Sequence, residues 1–157
     1  MLPASLIPSP VAVIGFLQRV SKAYVDVAGQ RIGSIDRGLL VLVGVQTGDG
    51  PEQVQRLLER LLGYRVFPDA EGRMNLSLRD INGGLLLVPQ FTLAADTRKG
   101  SRPGFSTAAA PEQARTLFDA LARAAQAQHP NVATGRFGAD MQVGLVNDGP
   151  VSFWLET

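Results

Sequence analysis

A short polar segment that follows a strand-like run is the first candidate for chemistry. It is Pro89-Gln90-Phe91-Thr92, which comes directly after the apolar residues 85–88. Proline has no backbone N–H to give to a sheet ladder, so strand pairing is disturbed at this point. We therefore expect the N–H groups of Phe91 and Thr92 to turn away from the ladder, where they can face a ligand. Backbone donors of this kind stabilise the oxyanion of an acyl transfer reaction.

A second polar segment, Asn-Asp-Gly-Pro at residues 147–150, joins strand-like runs at 141–146 and 151–155. These four residue types are common turn formers, so a plain turn is the alternative to a functional site. For the first segment the alternative is an edge strand that is broken at Pro89. Thr92 also carries a hydroxyl that could act as a nucleophile, but no base in the nearby sequence would activate it.

The composition excludes several other kinds of site. The chain has no cysteine and a single histidine, His129, which reads as a solvated helix end before Pro130. Zinc would have to rely on carboxylates alone, and a catalytic triad would need that histidine. Phosphate-loop and dinucleotide motifs are missing, and Asp-Ala-Glu-Gly at residues 69–72 lacks the later ligands of a calcium loop. We therefore expect neither a metal nor a cofactor.

The elements that position these segments are read from periodicity. Strand patterns occupy residues 11–20, 22–27 and 31–35, with a hairpin turn at 28–30, and an almost wholly apolar strand follows at 39–45. Two helices are predicted from apolar residues at i, i+3, i+4 and i+7 spacing. Their predicted core-facing residues are Val54, Leu57, Leu58, Leu61 and Leu62, then Ala114, Leu117, Phe118, Leu121 and Ala122.

The helix ends are also predicted. Asp49 and Glu52 are spaced as a capping box for the first helix, and Gly63 is placed as its stop. The second helix begins near Pro111 and fades before His129. The order of elements predicts an α/β or α+β fold, in which two amphipathic helices cover one side of a mixed, barrel-like β-sandwich.

Length and composition predict one domain. The chain has 157 residues with 45% hydrophobic content, enough for one substantial core. Residues 1–17 contain no Lys or Arg, and prolines interrupt the apolar run, which argues against a secretory signal or a membrane span. We expect residues 1–12 to form a loose leader and residues 13–157 to form the domain.

Three stretches of the sequence carry a family resemblance. They are GLLLVPQFTLAADTRKGSRPGF, TGRFGADMQVGLVNDGPVSFWLE and the earlier QRVSKAYVDV followed by GSIDRGLLVLVGV. The sequence resembles the D-aminoacyl-tRNA deacylase family in these stretches, from about Val13 to the C-terminus. The resemblance implies a cytoplasmic homodimer with active sites at the subunit interface. It also implies hydrolysis of the ester that joins a D-amino acid to the 3′ end of tRNA.

The resemblance also implies roles for single residues. The catalytic set is Gln90, Phe91, Thr92, Gly149 and Pro150, and the substrate-binding set is Pro89, Asn147, Ser152, Arg19, Phe137 and Met141. The Gly149-Pro150 peptide is implied to be cis, to reach into the partner's pocket and to act as a chiral filter that glycine passes. Arg19 is implied to be the buried brace of this peptide, and a surface strand charge is its alternative. Phe137 and Met141 are implied to enclose the terminal adenine, or else belong to the core.

Two departures from the family pattern are visible. Pro89 stands where the family usually has serine, and Ser152 stands where it usually has threonine. A related animal branch carries Pro-Gln at the first place and accepts some L-aminoacyl esters, whereas Phe91 and Val151 fit the bacterial pattern. Pro89 therefore keeps two alternatives open: an L-aminoacyl editing deacylase, and a catalytically silent tRNA-binding dimer. A general esterase that ignores the tRNA body is a third.

Phosphate binding must be local, because 15 Lys and Arg against 14 Asp and Glu give a net charge of only +1. With the resemblance, Arg98, Lys99 and Arg102 are the candidate tRNA contacts, and Lys22 is a weaker one. The alternative is a solvated surface loop.

Overall fold

A computed structural model describes residues 13–157, and the predicted leader at residues 1–12 lies outside the described residues. The strands are β1 (Ile14–Val27), β2 (Gln30–Ile35), β3 (Gly38–Gly44), β4 (Phe67–Pro68), β5 (Met74–Leu76), β6 (Gly84–Pro89), β7 (Val132–Thr134) and β8 (Gln142–Glu156). The helices are α1 (Pro51–Gly63), α2 (Leu78–Ile81) and α3 (Pro111–Gln128), and a 3₁₀ helix spans Phe91–Ala94.

One mixed sheet organises the molecule, with strand order β2-β1-β3-β6-β7. β3, β6 and β7 run parallel, while β1 pairs antiparallel with β2, β3 and β8. The two ends of the sheet approach each other, since a Cβ added to Gly33 of β2 would lie 3.0 Å from the carbonyl oxygen of Thr134 in β7. The predicted mixed, barrel-like sheet is therefore confirmed.

The two long helices cover one face of the sheet, as predicted. The first core cluster lies between that face and the helices, and it includes Leu39, Val41, Leu85 and Leu87. Because strand side chains alternate between faces, their neighbours Leu40, Leu86 and Val88 belong to a second cluster that contains no helical residue among those described. The predicted helix faces are buried except at Ala122, which is partly exposed while Ala125 is buried.

Some boundaries differ from the prediction because bulges interrupt long strands without ending them. The patterns at 11–20 and 22–27 belong to the single strand β1, and the two runs at the C-terminus belong to the single strand β8. The register between β1 and β8 shifts on both sides of Val20. The alternation of polar and apolar residues is broken at the same place. The short elements β4, β5, α2 and β7 were not predicted, since each spans four residues or fewer.

The predicted cap of α1 is wrong by one residue. Gly50 is the N-cap, and Gln53 Oε1 accepts a hydrogen bond from its N–H at 2.9 Å. Pro51 takes the first helical position, for which its fixed φ is suited, and so sets the start. Asp49 is buried instead, and its Oδ2 accepts a hydrogen bond from the Gln46 N–H at 2.6 Å.

His129 is also placed differently from the prediction. It is 4% exposed rather than solvated, and its Nε2 lies 2.5 Å from the carbonyl oxygen of Gly83. The helix end packs onto the turn before β6, which buries the ring. Among the described residues, no helix is both long and apolar enough to cross a membrane.

Candidate active site at the end of β6 and the β8 bulge

Pro89 is the last, buried residue of a strand inside the sheet, so the edge-strand alternative is wrong. Donors alternate along β6: the Gln90 N–H bonds to Val43 in β3 at 2.8 Å, and the Leu85 N–H bonds to Asn131, just before β7, at 2.8 Å. By this alternation an N–H at residue 89 would face β7. The pairing reaches Gly135, whose N–H bonds to Leu87 O at 2.8 Å, so proline supplies no N–H for the next step and ends this ladder.

The chain leaves the sheet directly after Pro89 and forms the 3₁₀ helix. Its bonds run from the Leu93 N–H to Gln90 O at 3.3 Å and from the Ala95 N–H to Thr92 O at 3.1 Å. The first N–H groups of a helix have no partner within it, and in the described chain those of Phe91 and Thr92 donate to no other acceptor. These two N–H groups have turned away from the ladder, as predicted.

The side chains of this segment are exposed. Phe91 is 61% exposed and contacts Phe105 with ring centroids 5.4 Å apart. The Thr92 hydroxyl accepts a hydrogen bond from the side-chain amide of Gln90. Among the described residues no carboxylate or imidazole is hydrogen-bonded to this hydroxyl, so it has no evident activating base.

The second segment is a bulge within β8. Gln18 pairs with Ser152 and Val20 with Asn147, so the four residues 148–151 lie opposite Arg19 alone. The Gly149–Pro150 peptide is cis, as the family resemblance implied, and it is the only cis peptide in the described range 13–157. The alternative of a plain turn between two strands is therefore wrong, because β8 continues along β1 on both sides of the bulge.

Arg19 supports this bulge from beneath. The residue is 9% exposed, and its guanidinium donates from Nε to Asp148 O at 3.1 Å and from Nη1 to Val66 O at 2.7 Å. Asp148 Oδ2 lies 3.5 Å from the same Nε. The alternative of a surface strand charge is wrong, since the side chain is buried and bonded at both ends.

Asn147 closes the base of the bulge. Its Nδ2 donates to Arg19 O at 2.9 Å and to Val151 O at 3.0 Å, while the Ser152 hydroxyl lies 3.5 Å from its Oδ1. Gly149 has φ +129°, and an added Cβ would lie 2.7 Å from Val151 Cγ2. No side chain fits there without displacing its neighbours, so the backbone itself forms the exposed surface of the bulge.

A cleft of about 390 Å³ lies on the face of the sheet without helices, next to the 3₁₀ helix. Gln90 and Met141 line it, together with Gln18 and Asp140, which sequence reasoning did not select. The signal for Gln18 was its alternation with Arg19, which puts the two side chains on opposite faces of β1. Phe137 is not in this cleft, because it packs against the core cluster on the helix side.

The loop cations differ in how free they are. Arg98 donates from Nε and Nη2 to the Asp96 carboxylate at 2.9 Å in each case, and its guanidinium lowers the pKa of Asp96 to about 2. Lys99 and Arg102 are exposed and form no ion pair within the described chain, and Lys22 is exposed on β1. Two of the five side-chain N–H donors of Arg98 are thus already used within the loop.

Two other features lie apart from these segments. Burial raises the pKa of Asp49, whose Oδ1 is buried without a hydrogen-bond partner. A cleft of about 530 Å³ lies at the opposite end of the sheet beside Arg37 and Asn82, and it contains none of the predicted site residues.

Comparison with known proteins identifies the class to which this fold and site belong. The chain matches the family described as D-Tyr-tRNA(Tyr) deacylase over residues 16–156. It is 64% identical over 142 residues to a D-aminoacyl-tRNA deacylase of Pseudomonas putida, covering 90% of this chain and 98% of that one. It is also 64% identical over 143 residues to the Methylococcus capsulatus protein of the same name, covering 91% and 94% of the two chains.

Two solved structures are similar in fold. The structure of the c-Myc DNA Unwinding Element Binding Protein is similar with a TM-score of 0.88 and 35% identity, over 92% of this chain and 98% of that one. A probable eukaryotic D-amino acid tRNA deacylase, 18% identical, matches in fold with a TM-score of 0.79 over 94% of this chain and all of that one. The chain therefore belongs to the D-Tyr-tRNA(Tyr) deacylase family, as the resemblance in its motifs predicted.

Proposed function

We propose that the protein hydrolyses the ester bond of D-aminoacyl-tRNA, and of glycyl-tRNA, as a proofreading step in the cytoplasm. The observation that carries the proposal is the pair of unpartnered N–H groups at Phe91 and Thr92, beside the cleft that Gln90 lines. Such donors suit the oxyanion of an ester undergoing attack. The curated relatives with this activity are 64% identical to the chain.

The reaction needs positioning more than a nucleophilic side chain. Water adds to the ester carbonyl, the oxyanion accepts hydrogen bonds from Phe91 or Thr92, and the bond to the ribose oxygen breaks as that oxygen takes up a proton. The neighbouring ribose hydroxyl is the nearest group to carry the proton. Orientation supplies up to about 7–11 kcal/mol, and one preorganised donor about 3 kcal/mol. No metal or cofactor takes part in this scheme.

A second copy of the chain completes each site. The bulge at Gly149 contacts Arg19, whose side chain points to the helix side, whereas Gln90 and Met141 line a cleft on the opposite face. The filter therefore lies on the other side of the sheet from its own cleft, and in a homodimer it enters the partner's cleft. The backbone of the Gly149-Pro150 filter leaves no room there for the side chain of an L-amino acid, whereas the α-hydrogen of a D-amino acid fits.

The edge of β8 is suited to this contact. β8 pairs with β1 on one side only, and Phe153 and Trp154 are 36% and 49% exposed beside it. Exposed apolar residues at an open strand edge are typical of an interface. On this proposal Asn147 and Ser152 hold the filter, Met141 walls the cleft with Pro89 packed beside it, and Lys99 and Arg102 contact the tRNA backbone.

The proposal is tested by single-turnover deacylation of matched D-tyrosyl-, L-tyrosyl- and glycyl-tRNA, with Pro89→Ser beside the unchanged protein. Fast loss of the D and glycyl esters, with the L ester intact, is the expected result. Loss of the L ester as well would favour the relaxed editing deacylase. Binding of tRNA without turnover, restored by serine, would favour the silent binding dimer. Cleavage that ignores the tRNA body and salt would favour a general esterase.

A further inference from the structure

A groove of about 350 Å³ lies on the helix side of the sheet, between α3 and residues 134–137. Two arginines, Arg115 of α3 and Arg136, line it, and both are exposed. Phe137 forms part of its wall. Neither arginine was among the cations that the sequence predicted to bind tRNA.

Arg115 is held in place without using its hydrogen-bond donors. Its guanidinium carbon lies 5.2 Å from the centre of the Phe137 ring, a distance typical of a cation–π contact. Its Nη2 lies 3.8 Å from the position that a Cβ on Gly138 would occupy. Asp119 lies one helical turn further along, yet no ion pair or hydrogen bond of Arg115 exists among residues 13–157. All five N–H donors of this ordered guanidinium are therefore available.

Arg98, a cation predicted to bind tRNA, differs from Arg115 because its donors are partly occupied. Arg98 donates three hydrogen bonds to Asp96, from its backbone N–H, Nε and Nη2. A ligand that binds Arg98 must compete with this carboxylate, whereas a ligand that binds Arg115 need not. Cation–π stacking also fixes the guanidinium plane in advance, so that less side-chain entropy is lost on binding.

The groove and the cleft lie on the two sides of one packed contact. Gly135 lines the groove, and a Cβ added to it would lie 3.3 Å from Pro89 Cδ and 2.8 Å from Met141 Sδ. Met141 lines the cleft on the other face. Gly135 is buried, so a single strand whose terminal ester occupies the cleft would pass outside Met141 to reach Arg115.

We propose that Arg115 and Arg136 form a phosphate-binding site for the backbone of the single-stranded 3′ end of tRNA. The inference rests on the proposed function for its ligand. A planar guanidinium binds a phosphodiester through two parallel N–H donors and reads no base, which suits a protein that acts on many tRNAs. The nearby carboxylate of Asp119 weakens the site without closing it.

The salt dependence of binding to uncharged tRNA tests this site without requiring catalysis. Each phosphate contact to a single strand contributes about 0.7 to the slope of log K against log salt concentration. Arg115→Gln should reduce the slope by about that amount. Arg123→Gln is the matched control, since Arg123 is exposed on the same helix but does not line the groove, and it should leave the slope unchanged. Equal slopes for Arg115→Gln and the unchanged protein would overturn the proposal.

A substrate without phosphate distinguishes phosphate binding by Arg115 from a structural effect of its contact with Phe137. Arg115→Gln should leave the hydrolysis of a 3′-O-D-aminoacyl adenosine unchanged while it raises KM for the matching aminoacyl-tRNA. If both substrates lose the same factor, Arg115 acts only by holding Phe137, and the phosphate role is wrong. The unchanged protein could hydrolyse neither substrate while Arg115→Gln still lowers the salt slope of tRNA binding. In that case the proposed function fails and the phosphate site stands.

Discussion

Replacing Arg19 by methionine tests the link between the brace and the filter. The side chain is buried, and it donates to Val66 O at 2.7 Å and to Asp148 O at 3.1 Å. Hydrogen bonds to a charged group each contribute about 1.5–3 kcal/mol, so the two together contribute about 3–6 kcal/mol. Part of this loss in stability is offset, because the cost of desolvating the buried guanidinium also disappears with the charge. We expect the free energy of unfolding to fall by about 2–4 kcal/mol.

The assays are urea unfolding and the ratio of kcat/KM for D- and L-tyrosyl-tRNA. Arg19→Met should lower that ratio by at least tenfold, because the unsupported bulge no longer holds Gly149 in one position. Arg19→Lys keeps the charge but cannot reach both carbonyl oxygens, so it should be intermediate. Arg31→Met is the control, since Arg31 pairs with Asp26 on the surface and should change neither measurement appreciably. A folded Arg19→Met protein with an unchanged D-to-L ratio would refute the bracing role.

Three further predictions concern single groups. Thr92→Ala should keep most of the single-turnover rate, and a loss of about 100-fold or more would make the hydroxyl a nucleophile. Gly149→Ala should lower the free energy of unfolding by about 1–3 kcal/mol and reduce the D-to-L ratio of kcat/KM, because φ is +129° and the new Cβ would lie 2.7 Å from Val151 Cγ2. Gly63→Ala is its control, because a Cβ at Gly63 would meet open space. Burial raises the pKa of Asp49, so its contribution to stability is greatest in acid and is lost as pH rises through that raised value. Asp49→Asn should therefore raise Tm at pH 7, with a difference that vanishes below about pH 4; an equal gain at both pH values would contradict this.

The fold was largely predictable because its signals are local and periodic. The faces of α1 and α3 follow from apolar spacing, and the central strand β3 follows from a continuous apolar run. A bulge, in contrast, depends on the partner strand. The residues from Asn147 to Pro150 look like a turn, and only the register against β1 shows that they lie opposite Arg19 within one strand.

The sequence selected the two segments of the candidate site but did not show on which face of the sheet each side chain lies. Phe137 and Met141 are four residues apart and were expected either to enclose the terminal adenine or to belong to the core. One packs on the helix side and the other lines the opposite cleft. Arg98 was a candidate tRNA contact, but Asp96 lies only two residues earlier and competes for its donors. Arg115 gave no signal, because its distinguishing contact is with Phe137, which is distant in sequence.

Pro89 ends a strand inside the sheet, directly before the candidate catalytic segment. Residue 89 falls at a position in β6 where an N–H would face β7, and the last bond on that side runs from the Gly135 N–H to Leu87 O. Proline therefore ends the ladder with β7, while the Gln90 N–H remains bonded to Val43 at the start of the 3₁₀ helix. Because the Gln90 N–H bond lies on the β3 side, we expect the N–H groups of Phe91 and Thr92 to keep their geometry when Pro89 is replaced by serine. Pro89→Ser should then act through the packing of residue 89 beside Gly135 and Met141, and so change which amino acid is accepted. A serine variant that gains rate equally for all esters would contradict this reasoning.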